Sequence, residues 1–319
     1  MKIKFWGTRG SLPASINANN LSAKLQKSLD VILQNLQNQD KITSNAKQYC
    51  FSLDFATGGT YGTNTSCVQI DGDGENYIIL DAGTGLRDLG NHIMKTSNAN
   101  TKKIFHIFLS HLHWDHIQGF PFFIPAYIPG NKIIFYGAHP DIKKAFEIQQ
   151  SSPFFPVSLD MMAAEKKYEL LSPSEKYEVC GYEIEIIEQN HPGKSFGYSF
   201  KKNNKKIVYS TDSEHKEEVS ASVFLDFFKD ADALIFDAQY TLVDSEYLKC
   251  DWGHSSNLLA VEFACLANVK NLIMFHSEPV KDDFELDKIL ADTKKYAAHF
   301  IKNNNLKIFQ AFDSLELII

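Results

Sequence analysis

The chain has 319 residues, 44% of them hydrophobic and 22% charged, with a formal net charge of −7. This composition suits a globular protein with a sizeable core and shows neither a low-complexity tract nor a short-period repeat. The acidic balance is a poor match to a long phosphate backbone, although a local basic patch would suffice to bind one. No apolar run is long enough to span a bilayer.

Residues 2–6 read as a strand ending in the turn Gly7-Thr8-Arg9-Gly10, and the N-terminus lacks a signal-peptide apolar region. Over 20–39, Leu21, Leu25, Leu29, Ile32, Leu33 and Leu36 recur at helical spacing among Lys, Gln and Asn. The pattern predicts an amphipathic helix packed on the body of the protein, with a lid or dimer helix as the alternative. Strands follow near 66–70, 77–81 and 103–109, with Gly83 and Gly85 permitting a tight turn after Asp81. Residues 118–129, rich in Phe, Pro and Tyr, either line a pocket mouth or pack as a loop. A strand at 133–136 and a helix at about 140–150 come next. Residues 151–175, with Pro153, Phe154, Phe155, Pro156, Met161 and Met162, read as an irregular flap facing the substrate.

The second half gives strands near 182–188, 196–200, 206–210, 232–237, 271–275 and 306–309, and helices near 220–229, 255–267 and 284–302. Lys201-Lys202 and Lys205-Lys206 flank Asn203-Asn204 and read as a solvated hairpin turn rather than a basic patch. Cys50, Cys67, Cys180, Cys250 and Cys265 are odd in number and show no zinc-site spacing. They are expected to be free thiols in a reducing compartment, which places the chain in the cytoplasm.

The segment Ser110-His111-Leu112-His113-Trp114-Asp115-His116 carries the chemistry. Imidazole and carboxylate are the usual ligands of zinc and its first-row neighbours. Several histidines held together without a metal would each need a separate hydrogen-bond partner. The run follows the apolar strand 103–109, so its ligands sit where a rigid strand ends in a loop. Apolar strands also precede His191, Asp212 and His276, which lets residues distant in sequence meet at one edge. The bland alternative, a His-rich surface turn, is disfavoured by the apolar flanks.

His111-Leu112-His113-Trp114-Asp115-His116 resembles the signature of the metallo-β-lactamase superfamily. The resemblance extends to Leu80-Asp81-Ala82-Gly83-Thr84-Gly85, His191-Pro192-Gly193, Tyr209-Ser210-Thr211-Asp212 and Phe275-His276. It covers nearly the whole chain except roughly 14–56 and is strongest to the phosphodiesterase branch, with its tRNA 3′-processing endonucleases and cyclic-nucleotide phosphodiesterases. It implies one α/β domain over 1–319, a four-layer αβ/βα sandwich carrying a helical insertion at about 14–56. It also implies a site for two divalent metal ions, with zinc the default and manganese or iron the alternatives. His111, His113 and His191 would hold the first ion; Asp115, His116 and His276 the second; Asp212 would bridge them. A metal-bridging hydroxide would attack the phosphodiester.

Asp251-Trp252-Gly253-His254-Ser255-Ser256 is similar to the His-Ser-Thr motif of the tRNA-processing relatives, and Ile235-Phe236-Asp237-Ala238-Gln239 to their His-Glu-Ala-Thr motif. His254 would be the general acid, oriented by Asp237, with Asp115 the third catalytic residue. The alternative for His254 is a residue near a helix N-cap. Asp81 is expected to accept a hydrogen bond from a ligand histidine, the alternative being an ordinary turn residue. Lys194 and His215 follow ligand segments and are candidate phosphate contacts. His92, His106, His139 and His299 match no motif and are taken as structural or surface residues.

The leading expectation is a phosphodiesterase for a small substrate, a cyclic nucleotide first. An endoribonuclease of the tRNA 3′-processing type, a non-phosphate metallo-hydrolase and a metal-bound sensor are the alternatives. A long nucleic-acid partner and a membrane are disfavoured, and a homodimer is an option suggested by analogy alone.

Overall fold

The first sheet contains β1 (Lys2–Gly7), β2 (Cys67–Ile70), β3 (Asn76–Leu80), β4 (Ile104–Phe108), β5 (Lys132–Gly137), β6 (Glu165–Leu170) and β14 (Glu316–Ile318), in the order β14-β1-β2-β3-β4-β5-β6. The second contains β7 (Tyr177–Val179), β8 (Tyr182–Gln189), β9 (Ser195–Lys202), β10 (Lys205–Ser210), β11 (Ala233–Asp237), β12 (Asn271–Phe275) and β13 (Lys307–Gln310), in the order β13-β12-β11-β10-β9-β8-β7. The helices are α1 (Ala18–Gln37), α2 (Phe55–Gly58), α3 (Gly85–Thr96), α4 (Trp114–Ile117), α5 (Ile142–Gln149), α6 (Ala221–Phe228), α7 (Asn257–Leu266) and α8 (Asp283–Phe300). This computed structural model describes residues 1–37, 52–98, 101–215, 221–242, 249, 251–300 and 305–319.

Period-two alternation sets the layers. In β12, Ile273 and Phe275 turn into the core between the sheets, while Leu272 and Met274 turn outward among residues of α6, α7 and α8. In β4, Phe108 faces the other sheet, with Phe200 edge-on at 5.2 Å, while Phe105 and Ile107 join the outer layer of α3 and α5. The result is the expected four-layer α/β sandwich, with strands apolar on both faces because both faces are covered. Strands β3 to β6 run parallel, as do β10 to β13. The ends of β3, β4, β10, β11 and β12 and the loops that follow them carry Asp81, His111 to His116, Asp212, Asp237 and His276.

Several elements depart from the sequence reading. The sequence predicts only a tight turn after Asp81, yet helix α3 follows it, with Leu86, Leu89 and Ile93 on its buried face. The expected flap at 151–175 is partly regular: β6 pairs in parallel with β5, and Leu159 and Met162 are buried. Strand β6 is largely polar (Glu-Lys-Lys-Tyr-Glu-Leu) because it lies at a sheet edge, so it lacks an apolar signature. The short strands β7 and β14 went unread for similar reasons. The Asn203-Asn204 hairpin is present, both residues having positive φ as such a turn requires.

Helix α1 exists but packs opposite to expectation. Leu21, Leu25, Leu29, Leu33 and Leu36 are each more than half exposed, whereas Lys24 is buried. Lys24 ion-pairs with Asp283 and donates to the Gly59 carbonyl at 2.5 Å. An ion pair, rather than the leucine row, therefore ties α1 to the body. Residues 38–51 of the expected insertion, and Cys50 and Cys250, lie outside the described residues; Cys67, Cys180 and Cys265 are free thiols. Among the described residues no helix is long and apolar enough to cross a membrane.

The loops after β3 and β4 are locked together. Ala82 N–H donates to the His116 carbonyl at 2.8 Å, and Gly119 N–H donates to the Ala82 carbonyl at 2.9 Å. A Cβ on Gly119 would lie 1.8 Å from the Gly83 carbonyl oxygen. Gly119→Ala is therefore expected to destabilise the protein by about 1–3 kcal/mol, as other forced overpacking does. Urea unfolding with an unchanged midpoint would refute the close approach.

Candidate dinuclear metal centre

Each polar residue of the edge is aimed by its own strand end. Asp81, Asp212 and His276 directly follow β3, the β10 segment and β12, and all three have left-handed backbones, with φ of 59°, 54° and 62°. This conformation is uncommon for residues other than glycine, and it turns the side chain out of the strand's alternation. His191 and Ser110 are joined across the two halves by their surroundings: Phe196 N–H donates to the Ser110 carbonyl at 2.9 Å, and the Tyr198 hydroxyl donates to the Leu109 carbonyl at 2.6 Å.

The structure brings together all seven expected ligands. Ligand atoms of His111, His113 and His191 lie within 4.8 Å of one another, as do those of Asp115, His116 and His276. Asp212 joins a third such group with His111 and His116. His116 Nε2 is 3.1 Å from Asp115 Oδ2 and 3.3 Å from Asp212 Oδ2. His276 Nε2 is 3.1 Å from Asp115 Oδ2 and 3.4 Å from Asp212 Oδ1.

The donor set fits divalent cations. His116 Nδ1 meets Asp81 Oδ2 at 2.7 Å, His276 Nδ1 meets Gln239 Oε1 at 2.8 Å, and His191 Nδ1 meets the Gly253 carbonyl at 2.9 Å. His111 Nδ1 meets Ser110 Oγ at 3.1 Å, and that hydroxyl donates to Asp81 Oδ2. A neutral imidazole carries one proton. With Nδ1 the donor in each ring, all four Nε2 atoms present bare lone pairs. His111 Nε2 is buried without a hydrogen-bond partner. His116 Nε2 and His276 Nε2 face each other at 3.2 Å, close to the roughly 3.3 Å expected between two nitrogens about 2.0–2.1 Å from one tetrahedral ion. Two ring nitrogens at that distance beside carboxylates need a positive charge between them, a proton on His116 or a cation in its place.

The titration behaviour reflects the same demand for positive charge. Burial pulls the His116 pKa down, but Asp115, Asp212 and Asp81 outweigh it and raise that pKa well above the ordinary histidine value. Burial alone would raise the Asp212 pKa; His276, His116 and His111 instead hold it well below the carboxylate range. A proton on His116 thus supplies part of the charge that a cation would.

His254 stands beside this group, its ring 5.2 Å from that of His191 and 5.1 Å from that of His276. Its Nδ1 bonds Asp237 Oδ2 at 2.8 Å. Burial opposes the charged ring, but Asp237, Asp212 and Asp115 raise its pKa overall. The helix N-cap of α7 is Ser256, which accepts from Leu259 N–H, so His254 is not needed as a cap.

Of the two expected phosphate contacts, one is drawn into the outer layer and the other stays beside the His191 segment. His215 is packed among Phe224, Phe236 and Phe263 in the outer helical layer, and burial lowers its pKa to about 3. Its neutral ring belongs to that aromatic cluster, which corrects the sequence reading. Lys194 is exposed and ion-pairs with Glu188 at 3.1 Å. His106, taken as structural, bonds the Tyr136 hydroxyl at 3.0 Å and has its pKa lowered to about 4 by burial. Residues the sequence reading assigned no role include Ser110, Tyr209, Gln239 and the carbonyl of Gly253. The Ser11 N–H, which donates to Asp115 Oδ2 at 2.7 Å, is another. Two tryptophans flank the site in sequence, Trp114 between His113 and Asp115 and Trp252 two residues before His254; both are 60% or more exposed.

The model of the beta-lactamase superfamily domain matches residues 76–277, and the chain belongs to that superfamily as a hydrolase. A Ribonuclease Z of Crocosphaera subtropica is 25% identical over 267 residues, covering 68% of this chain and 82% of that protein. Zinc-bound PqqB from Methylobacterium extorquens superposes with a TM-score of 0.67 at 15% identity, covering 100% of each chain. The short form of human tRNase Z gives 0.58 at 18% identity, covering 100% of this chain and 99% of its own. The structural likenesses establish the fold.

Because His116 must give up a proton to become a ligand, metal uptake should release protons, and affinity should rise with pH up to the raised His116 pKa. Calorimetry in buffers of different ionisation enthalpy checks this; a pH-independent affinity would mean the ring is already neutral.

Proposed function

We propose that the chain is a dinuclear-metal phosphodiesterase acting on a small phosphodiester, a cyclic nucleotide first. The observation that carries this reading is the convergence of bare Nε2 lone pairs and Asp212 beside the His254–Asp237 pair. His111, His113 and His191 would hold one divalent ion, Asp115, His116 and His276 the other, with Asp212 shared between them. Zinc suits this His-rich set, and manganese or iron are alternatives. When bound, the ions would supply Lewis-acid charge for the phosphate and lower the pKa of water.

The chain's own residues do the rest. Asp115 and Asp212 keep the floor of the site anionic, which would help to retain cations against an anionic substrate. Asp237 holds His254 by Nδ1, which leaves Nε2 to carry the transferable proton. Asp237, Asp212 and Asp115 raise its pKa and so favour the charged ring, which can protonate the departing alkoxide. Asp237 has a shorter arm than the glutamate of the resembling motif, yet reaches His254 directly at 2.8 Å.

Size of substrate is argued from charge. Of the Lys201–Lys206 cluster, Lys201 pairs with Glu185, Lys202 with Asp73 and Lys205 with Asp232, which leaves little field for a long polyanion. The exposed Trp114 and Trp252 offer flat apolar surfaces that a nucleobase would suit. The likeness to Ribonuclease Z and the His254–Asp237 pair favour the second reading, an endoribonuclease that processes RNA 3′ ends. The free thiols are consistent with a cytoplasmic location.

The test is turnover of bis-p-nitrophenyl phosphate, 3′,5′-cyclic nucleotides, cyclic dinucleotides and a tRNA precursor by metal-loaded protein. Chelator-sensitive cleavage of cyclic nucleotides supports the first reading and preferential cleavage of the precursor the second; no turnover of any of them sinks both. His254→Ala is expected to lower kcat by about 10²–10⁴-fold with metal content unchanged.

His254 acts while protonated, so activity should fall as pH rises through its raised pKa. Asp237→Asn removes the main group that raises it, and the alkaline limb of the kcat profile should move to lower pH. An unmoved limb would assign it to another group.

A further inference from the structure

We propose that Gln239 is the positioning residue of His276: its amide oxygen accepts a hydrogen bond from Nδ1–H and so turns Nε2 toward Asp115 and Asp212. The inference rests on the metal reading above and adds to it a residue that the motif resemblance does not supply, since the matching position of the His-Glu-Ala-Thr motif is the shorter threonine.

Three observations support it. Gln239 is 7% exposed, and its Oε1 lies 2.8 Å from His276 Nδ1. Its backbone is fixed on both sides: Gln239 N–H donates to Asp237 Oδ1 at 3.1 Å, and the neighbouring Ala238 N–H donates to the Phe275 carbonyl at 3.1 Å. Gly10 closes the contact from the N-terminal turn. A Cβ there would lie 2.4 Å from His276 Nδ1 and 3.0 Å from Gln239 Oε1, so neither ring nor amide has room to swing in that direction.

The arrangement also gives Asp237 two duties. One oxygen bonds His254, the other fixes the backbone of Gln239. One buried carboxylate therefore sets the orientation of the proton donor and, through Gln239, of His276. His116 and His276 then differ in kind. The first is backed by an anionic carboxylate, the second by a neutral amide that orients the ring without adding charge.

The test is zinc binding by the full chain, comparing wild type with Gln239→Leu, which keeps the volume and loses the acceptor, and with Gln239→Glu, which keeps an acceptor. Zinc content after dialysis and titration against a competing chelator are read together with thermal melting of the metal-free proteins. The expected result is two zinc equivalents for wild type and for Gln239→Glu. Gln239→Leu should melt like wild type but bind one equivalent about 10–100-fold more weakly, the other unchanged. Two equivalents at wild-type affinity in Gln239→Leu would overturn the proposal alone. Equal weakening of both equivalents, or a Gln239→Glu as defective as Gln239→Leu, would also overturn it, because the contact reaches only His276 and needs only an acceptor. A wild-type chain that takes up no zinc would overturn the proposal and the metal reading together.

Discussion

The carboxylate of Asp81 is the interaction on which the edge of this protein depends. It is fully buried and accepts from Ser110 N–H, the Ser110 hydroxyl, the Tyr209 hydroxyl and His116 Nδ1, each at 2.7 Å. Three of these donors converge on Oδ2 and one on Oδ1, four in all for a carboxylate that offers about four acceptor sites. The donors come from the loop after β4, from α4 and from β10 of the opposite sheet, so one residue joins both halves of the sandwich at the metal motif. A buried anion is tolerated only when paired and hydrogen-bonded, and the pairing here fixes the tautomer of His116.

The same economy appears in the backbone. Asp81, Asp212 and His276 all adopt left-handed φ at strand ends, a cost of order 1–3 kcal/mol each that persists only where surroundings over-determine it. The surroundings do so through short hydrogen bonds, and the outcome is that side chains from both sheets point into one volume.

Charge balance links geometry to chemistry. The buried carboxylates of Asp81, Asp115, Asp212 and Asp237 are compensated among the described residues chiefly by imidazoles. The rings whose Nδ1 atoms are satisfied by Asp81, Gln239, Gly253 and Ser110 hold Nε2 ready for a cation, whereas His254 is held by Asp237 as a proton carrier. The difference between ligand and acid lies in what each ring touches, not in residue type.

The sequence by itself determined the layered α/β class, because long apolar strands alternating with helical spacing admit few other packings. It also determined the metal motif, because His111, His113, Asp115 and His116 are adjacent in the chain, and it marked Asp212, His191 and His276 by their place after apolar strands. It named Asp81, Asp237 and His254 without deciding between their roles. The tertiary structure decided what depends on neighbours distant in sequence. It put His215 in an aromatic pocket, although its position in the chain suggested the site. It exposed the leucines of α1 and buried Lys24, since an acidic partner, Asp283, lies 259 positions away on α8. It made Gln239 a partner of His276, because parallel pairing of β11 with β12 sets their ends side by side. Periodicity records which face of an element is apolar; it carries no information about which polar atom across a sheet edge will meet a given ring.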